Sequence, residues 1–545
     1  MRTMRHNTKT ALIITIVAAA AIFVLRCADL GPLAGTVTQS GNGYVCGVVI
    51  DSGALVPGAR VLLIPAQFDP NSDAPLPDSF ISTTDESGAF RIIAPLSQGY
   101  NVQVDHSSGK NALRCGIGFA TGDTQTTGLL TLARPGSIKV IEPDTNNPGA
   151  AYVYIPGTTF FALVRSGTAL LGDIPAGVIP ELAFNPDIDG AEVYTISKNN
   201  TVVSGDTTLI FDYALWKDTL RLYLNTTASG AGVAGDVTNF PALVRLTSKN
   251  FDFSRALPGG NDVRFAKPDG APLAFEIERW DAAAQTAEIW VRIDTVYGND
   301  STQSITMYWG NPDAFGTSNS TAVFDTAVGF AGVWHMGENG DSVSDATADA
   351  FHGANSGSAM AAGIIGNSRK FADGNYLKIS GLLNSPSNVT LSAWVQSEKS
   401  TGGQDVISIG DAVMIRLDYL GGKGVSGWYH NSPITYDDSK YAIDSSGRYL
   451  ANTGWHFLAF TISAETHVQT LYIDGEKCAV SNDLNPIYYA GLGVDTYIGI
   501  HGNGKTSYNF AGQIDEVRVS SIAESPDWVR LCYMNQKAQD ALVKW

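Results

Sequence analysis

Three groups of residues in this chain have the types and spacing to do chemistry. Asp515 sits in Gly512-Gln-Ile-Asp-Glu-Val-Arg-Val519. Period-two alternation there puts it on one face with Val517 and Val519, and puts Glu516 and Arg518 on the other. Asp515 is therefore expected to point inward, and a buried carboxylate must be paired, hydrogen-bonded or metal-bound. Trp428, Tyr429 and His430, followed by Tyr436 and Tyr441, lie in a long stretch rich in Gly, Ser and Asp. Rings in such a loop can stack on sugar faces or anchor a peptide, although Trp428 equally suits a core strand. Glu276 and Glu278 share one strand face, but with Arg279 adjacent and Arg264 nearby in sequence, a solvated face is expected.

Other patterns are excluded by their context. Gly499-Ile-His-Gly-Asn-Gly504-Lys505-Thr506 has the spelling of a phosphate loop, and Gly422-Lys-Gly424-Val-Ser-Gly427 that of a dinucleotide loop. Both need a following helix whose N-terminus faces the anion, whereas an alternating strand follows the first of them, so no nucleotide is expected. Asn185, Asp187, Asp189 and Gly190 imitate the start of an EF-hand loop, but its closing position falls on Ile196 where a bidentate Glu is required, which leaves a solvated turn. The sequence holds no His-Glu-x-x-His, no Gly-x-Ser-x-Gly, and no Glu-x-Asp-x-x-Glu strand of the kind that pairs carboxylates for glycoside hydrolysis.

The elements that must position these residues are strands. Thr390–Gln396, Trp455–Ile462 and Gln469–Gly475 are runs of β-branched and aromatic residues bounded by Gly, Asn or Ser. At 545 residues the chain needs three or four domains of ordinary size. Its 57 glycines and 16% charged residues suit turn-rich β structure, and a net charge of −18 without a basic stripe argues against a nucleic-acid partner. The fold class expected is all-β, a multi-domain chain of β-sandwiches.

Asn388-Val-Thr-Leu-Ser-Ala-Trp394, Gly454-Trp-His-Phe457, Leu471-Tyr-Ile-Asp-Gly475, Tyr497-Ile-Gly-Ile500 and Gly512–Val519 resemble, in that order, the strands of a laminin-G-like, concanavalin-A-like jelly roll. Gly332-Val-Trp-His-Met336 and Asp345 to Gly353 resemble its opening strand and turn, so the domain is placed at 325–537. The resemblance implies a structural Ca2+ on Asp515 with Asp345 as the upstream acid; a hydrogen-bond network is the alternative. Residues 207–320, with Ala274–Asp281, Ala287–Asp294 and Ser304–Pro312 as strands, resemble a bacterial family of unknown function that commonly precedes such jelly rolls. Residues 44–134, with Asp85, Gly88 and Phe90 in an Asp-x-x-Gly-x-Phe turn, resemble the carboxypeptidase-regulatory-like, immunoglobulin-like sandwich, a spacer. Residues 135–206 are expected to be a short β unit or linker.

The first 27 residues have the form of a targeting segment. Arg2, Arg5 and Lys9 precede the apolar run Ala11–Leu25, and Val24-Leu25-Arg26-Cys27 resembles a bacterial lipoprotein signal, which implies a lipid on Cys27. With Cys27 so occupied, the remaining cysteines divide by domain into Cys46 with Cys115 and Cys478 with Cys532, as disulfides of an oxidising compartment would; free buried thiols are the alternative. The function expected is a non-catalytic, exported, lipid-anchored surface protein, at the outer membrane or cell surface, that binds a carbohydrate or another surface ligand. A surface glycoside hydrolase or its accessory subunit is the second reading, and a structural spacer the third.

Overall fold

The computed structural model describes residues 42–545 except 97, 120–123, 142–150, 166, 187–191, 400–401, 418–423, 431–441, 445–447, 483–485 and 506–507. The protein is all-β, a chain of sandwiches ending in a jelly roll. It divides into two compact units, Met1–Leu215 with Asp269–Pro272 and Trp216–Pro268 with Leu273–Trp545.

In the first unit, the strands Asn42–Asp51, Ala89–Pro95 and Thr124–Thr131 face the sheet built on Arg60–Pro65, Tyr100–Asp105 and Asn111–Ile117. Val45, Val49, Val61, Leu63, Val102 and Val104 alternate into the shared core. The Asp85 turn works as its residue types require. Asp85 Oδ1 accepts hydrogen bonds from the backbone N–H groups of Ser87 (2.8 Å) and Ala89 (3.0 Å). Gly88 has φ +70°, at a point where a Cβ would press on the Val49 carbonyl. Phe90 then drops into the core.

Neither expected disulfide is formed. Val45 and Val49 face the core, so alternation turns Cys46 to the opposite face of its sheet, where its thiol donates to the Gln125 carbonyl at 3.7 Å. Cys115 belongs to the other sheet of the sandwich. Residues 136–211 form a second sandwich rather than a linker, closed over Ile138, Val140, Val153, Leu182 and Phe184. Thr207–Phe211 pairs in parallel with Gly136–Ile141 and so belongs to this sandwich, which moves the boundary expected at 206 past 211.

In the second unit, Val237–Thr247, Thr286–Val296 and Phe275–Asp281 make one antiparallel sheet of a sandwich. The other sheet runs Arg264–Ala266, Ser304–Trp309, Asp218–Leu224 and then Val543–Lys544, a strand that arrives from beyond the jelly roll. The jelly roll itself has, among the described residues, two eight-stranded sheets. Gly512–Ser520 runs through the middle of one, between Val389–Ser397 on one side and Phe330–Trp334 and Asn367–Phe371 on the other. The second sheet carries Tyr376–Ser380, Asp495–Ile498, Gln404–Ile409, Val413–Leu417 and Val425–Tyr429. Leu391, Ala393, Val395, Phe460, Ile407, Ile415, Ile498, Val517 and Val519 fill the space between the sheets.

The outer face of the first jelly-roll sheet is also apolar. Trp394, Phe457, Ala459 and Tyr472 merge with Phe240, Ile289 and Trp290 of the preceding sandwich into one buried cluster. The helix Pro526–Gln536 completes this seam. Ser525 accepts from Trp528 N–H at 3.1 Å and Pro526 occupies the first turn. The helix buries Trp528, Val529, Leu531 and Cys532. At its end Asn535 accepts from Leu243 N–H (2.7 Å) and donates to the Leu243 carbonyl (3.0 Å), so its amide pairs with the edge strand as another strand would. The seam also explains why Cys478 and Cys532 stay apart. Cys478 packs toward the core between the jelly-roll sheets, whereas Cys532 lies in the cluster on the sheet's other side.

Candidate functional site

The same seam buries charge. The ladder between Gly512–Ser520 and Val389–Ser397 shifts register between the pairs Ser392–Arg518 and Trp394–Asp515. The last strand therefore carries one extra residue, a β-bulge, and Glu516 takes up φ +49° there. Alternation is reset at this point. Ile514, Val517 and Val519 face the jelly-roll core, while Asp515, opposite the seam residue Trp394, turns to the seam with Glu516 and Arg518. The expectation that Asp515 shares a face with Val517 and Val519 is thus overturned. Asp515 is fully buried, but on the other side of the sheet.

Glu516 meets two groups there. Its Oε1 lies 2.7 Å from His335 Nδ1, and its Oε2 accepts from Arg518 Nη2 at 2.7 Å. His335 follows the opening strand Phe330–Trp334 and stacks on the Trp290 ring with centroids 6.0 Å apart. Its Nε2 lies 3.2 Å from Glu276 Oε2, and its Nδ1 3.6 Å from Glu278 Oε2. Trp290 Nε1 donates to Glu278 at 2.8 Å. The face carrying Glu276 and Glu278 is therefore not solvated: the side chains are 13% and 7% exposed. Glu276, Glu278 and His335 line a pocket of about 300 Å³ that also takes in Glu338, Asp345 and Asn367.

The cluster sets its own protonation. Burial, then the Glu516 charge, pushes the Glu278 carboxyl up to about 8. Burial works against a charged His335, yet the carboxylates of Glu516, Glu276 and Glu278 outweigh it and hold the imidazole well above its usual range. Burial would likewise raise Glu516, but His335 and Arg518 bring it below the ordinary value. Glu278, His335 and Glu516 bring one ligand atom each to within 4.8 Å of one another.

The acids proposed for calcium occupy separate networks. Asp515 accepts from the N–H groups of Ile364 (2.9 Å), Ile365 (3.1 Å) and Glu516 (3.0 Å). Burial and the neighbouring Glu516 charge push its carboxyl well up, which favours the protonated form. Asp345 accepts from Val333 and Thr347 N–H, from Phe351 N–H and from the Thr347 hydroxyl. Each of the two carboxylates is therefore hydrogen-bonded within its own network.

The predicted aromatic platform divides. Tyr429 faces the core between the sheets. Trp428 is on the outer face of the second sheet but 2% exposed, packed on Met414 with the Arg416 guanidinium 4.9 Å from its ring. His430 is also buried. Tyr436, Tyr441 and Cys27 lie outside the described residues. The outer face of that sheet carries a cross-strand row, Lys378, Tyr497, Ser408, Met414 and Trp428, of which the last three are buried. Tyr376 stands edge-on to Tyr497 at 5.9 Å. Tyr508 lies 3.9 Å beneath the Arg416 guanidinium, which is paired with Asp405, and stacks on His501 at 5.3 Å; His501 reaches Asp411 at 3.3 Å.

Sequence reasoning missed His335 and Glu516. His335 stands within a motif already quoted for the opening strand, and a lone imidazole beside a strand end is its only local signal. Glu516 carries no signal of its bulge.

Fold and site together define a chain of β-sandwiches whose jelly roll buries one outer face against its neighbour and keeps aromatic and charged side chains on the other. Residues 371–530 match the family described as the Concanavalin A-like lectin/glucanases superfamily, and residues 259–336 match a domain of unknown function, DUF2341. The second match runs through the opening strand, so Glu276, Glu278 and His335 all fall within it.

Among solved structures, the chain is similar to domain 4 of AbnA, a GH43 extracellular arabinanase from Geobacillus stearothermophilus, solved in complex with arabinotriose. The identity is 19% over 37% of this chain and 97% of that one, with a TM-score of 0.31. It is also similar to the binding domain of Paraclostridial Mosquitocidal Protein 1, at 14% identity over 38% of this chain and 52% of that one, TM-score 0.31. The CBM40 of Ruminococcus gnavus IT-sialidase is similar at 14% identity over 30% and 94% of the two chains, TM-score 0.25. No curated protein matches the chain.

Proposed function

We propose that this protein is an exported, lipid-anchored, non-catalytic binding protein that captures a carbohydrate through its jelly roll, with the sandwiches at 42–134 and 136–211 as spacers. One observation carries the reading. The outer face of one jelly-roll sheet is consumed by the seam, and the outer face of the other bears Tyr376, Tyr497 and Tyr508 beside Lys378, Asp411 and His501. Half-exposed rings beside charged and hydrogen-bonding groups are what a sugar face and its hydroxyls require. The match of 371–530 to a superfamily of lectins and glucanases supports the ligand class.

Glycan-array binding by residues 216–545 tests it. Binding to one glycan class is expected, with a loss of about tenfold or more in Tyr497→Ala and Tyr508→Ala, on the order of 1.4 kcal/mol. An array with no bound glycan, or binding unchanged in both variants, removes this face as the site. Release of reducing sugar from the bound glycan would favour the hydrolase reading.

The anchor rests on sequence alone, on the order basic run, apolar run, Cys27. Cells fed an alkyne fatty acid are expected to label the wild-type protein and to leave Cys27→Ala unlabelled. Equal labelling of the two would show that lipid is attached elsewhere.

A further inference from the structure

We infer that Glu278, His335 and Glu516 form a binding site for one divalent transition-metal ion of the Zn2+ or Mn2+ kind, clamped between the two sandwiches of the second unit and open to the pocket beside it. Each ligand comes from a different element: Glu278 from the strand Phe275–Asp281, His335 from the end of the opening jelly-roll strand, and Glu516 from the bulge in the last. The three ligand atoms already lie within 4.8 Å of one another. A metal bonded at about 2.0–2.2 Å to each fits such a spacing with small side-chain rotations.

The surrounding groups are those that hold metal ligands. Nε2 of His335 faces Glu276 at 3.2 Å, and an imidazole that donates one N–H to a carboxylate presents its other nitrogen to a metal. Here that nitrogen is Nδ1, which faces Glu278 and Glu516, and an ion bound there displaces the Nδ1 proton to solvent. Arg518 holds Glu516 by Oε2 and leaves Oε1 turned to the imidazole. Trp290 fixes Glu278 through its indole N–H.

A second observation comes from the pocket. Glu338 is half-buried, and among the described residues its Oε2 has no hydrogen-bond partner, although Oε1 of the same carboxylate accepts from Ser344 N–H at 2.6 Å. Buried polar atoms left unpaired in a folded protein mark water, an ion or a ligand. Glu338 lines the pocket with Glu278 and His335, and its roughly 300 Å³ leaves room for water or a ligand hydroxyl on the metal's open positions. A mixed imidazole and carboxylate set suits zinc or manganese better than calcium, which prefers six to eight oxygens.

The experiment is equilibrium dialysis and thermal unfolding of the full chain stripped with chelator, then titrated separately with Zn2+, Mn2+ and Ca2+. One Zn2+ or Mn2+ per chain and a raised unfolding midpoint are expected, both abolished in Glu278→Gln and in His335→Gln. Glu276→Gln keeps all three ligands and is expected to weaken binding by about 10- to 100-fold. Tyr497→Ala, on the far sheet, is expected to bind metal as the wild type does, which separates this site from the glycan face. The inference is overturned if no ion binds at unit stoichiometry, if only Ca2+ does, or if the folded Glu278→Gln and His335→Gln variants bind as well as the wild type; the cluster is then a closed ion-pair network.

Discussion

Replacing Arg518 with methionine is expected to destabilise the 216–545 unit by about 3–5 kcal/mol in metal-free buffer. Arg518 is 2% exposed and holds Glu516, which is 1% exposed, in a site walled by Trp290 at 4.2 Å and Phe324 at 5.0 Å. Methionine matches the packing of the arginine stem and removes the charge. The Glu516 carboxylate then keeps His335 as its one directly hydrogen-bonded counter-charge among the described residues. The penalty is that of a stranded ion, so the double variant Glu516→Gln, Arg518→Met should recover most of it. Urea unfolding of the three proteins measures both effects. A single-variant loss below about 1 kcal/mol, the scale of an exposed pair, would show that water reaches this pair.

The second large effect, in metal-free buffer, is a loss of stability as the pH rises from about 4.5 to about 8. Glu278 titrates near 8 in the folded unit and near its ordinary 4.5 when unfolded. Between these values the folded state holds a proton that the unfolded state has released, so stability falls with rising pH and levels off above 8. His335 acts in the same direction. Its stabilising contribution is complete below the unfolded value of 6.5 and is lost as the pH climbs through its raised folded value. The Glu278 share alone is on the order of 5 kcal/mol between about pH 4.5 and 9. Glu278→Gln, neutral at every pH, should flatten the profile over that window. Parallel profiles for wild type and variant would mean that Glu278 is ionised in the folded protein at neutral pH.

What was legible in the sequence was local. Strand runs, the Ser525–Pro526 helix start and the Asp85 turn each depend on residues a few positions apart, and each stands where its chemistry places it. Asp345 was recognised as an acid beside the opening strand, and its carboxylate does organise that turn. The rest depends on partners that no window contains. One inserted residue at Glu516 reverses the face of Asp515, and nothing in Gly512–Val519 announces it. Glu276 and Glu278 look like a wet, charge-balanced face until the jelly roll closes over them, because alternation says which side chains share a face and not what covers it. The same holds for Trp428, on the outer face yet covered. The cysteines could be divided by domain, but a strand's inner and outer faces decide whether two thiols meet.

The docked Pro526–Gln536 helix and the Val543–Lys544 strand also bear on how the unit is made. Leu243 and its partner Asn535 are 292 residues apart, and ribosomes add roughly 5–20 residues per second. On the order of 15 to 60 s thus passes in which the nascent sandwich has left the exit tunnel with its Val237–Thr247 edge unpaired and the Phe240 and Trp290 side of its seam bare. Vectorial, domain-by-domain folding cannot finish this sandwich, since its last strand and its covering helix emerge only after the jelly roll. The early half must wait, unassembled, for the late one.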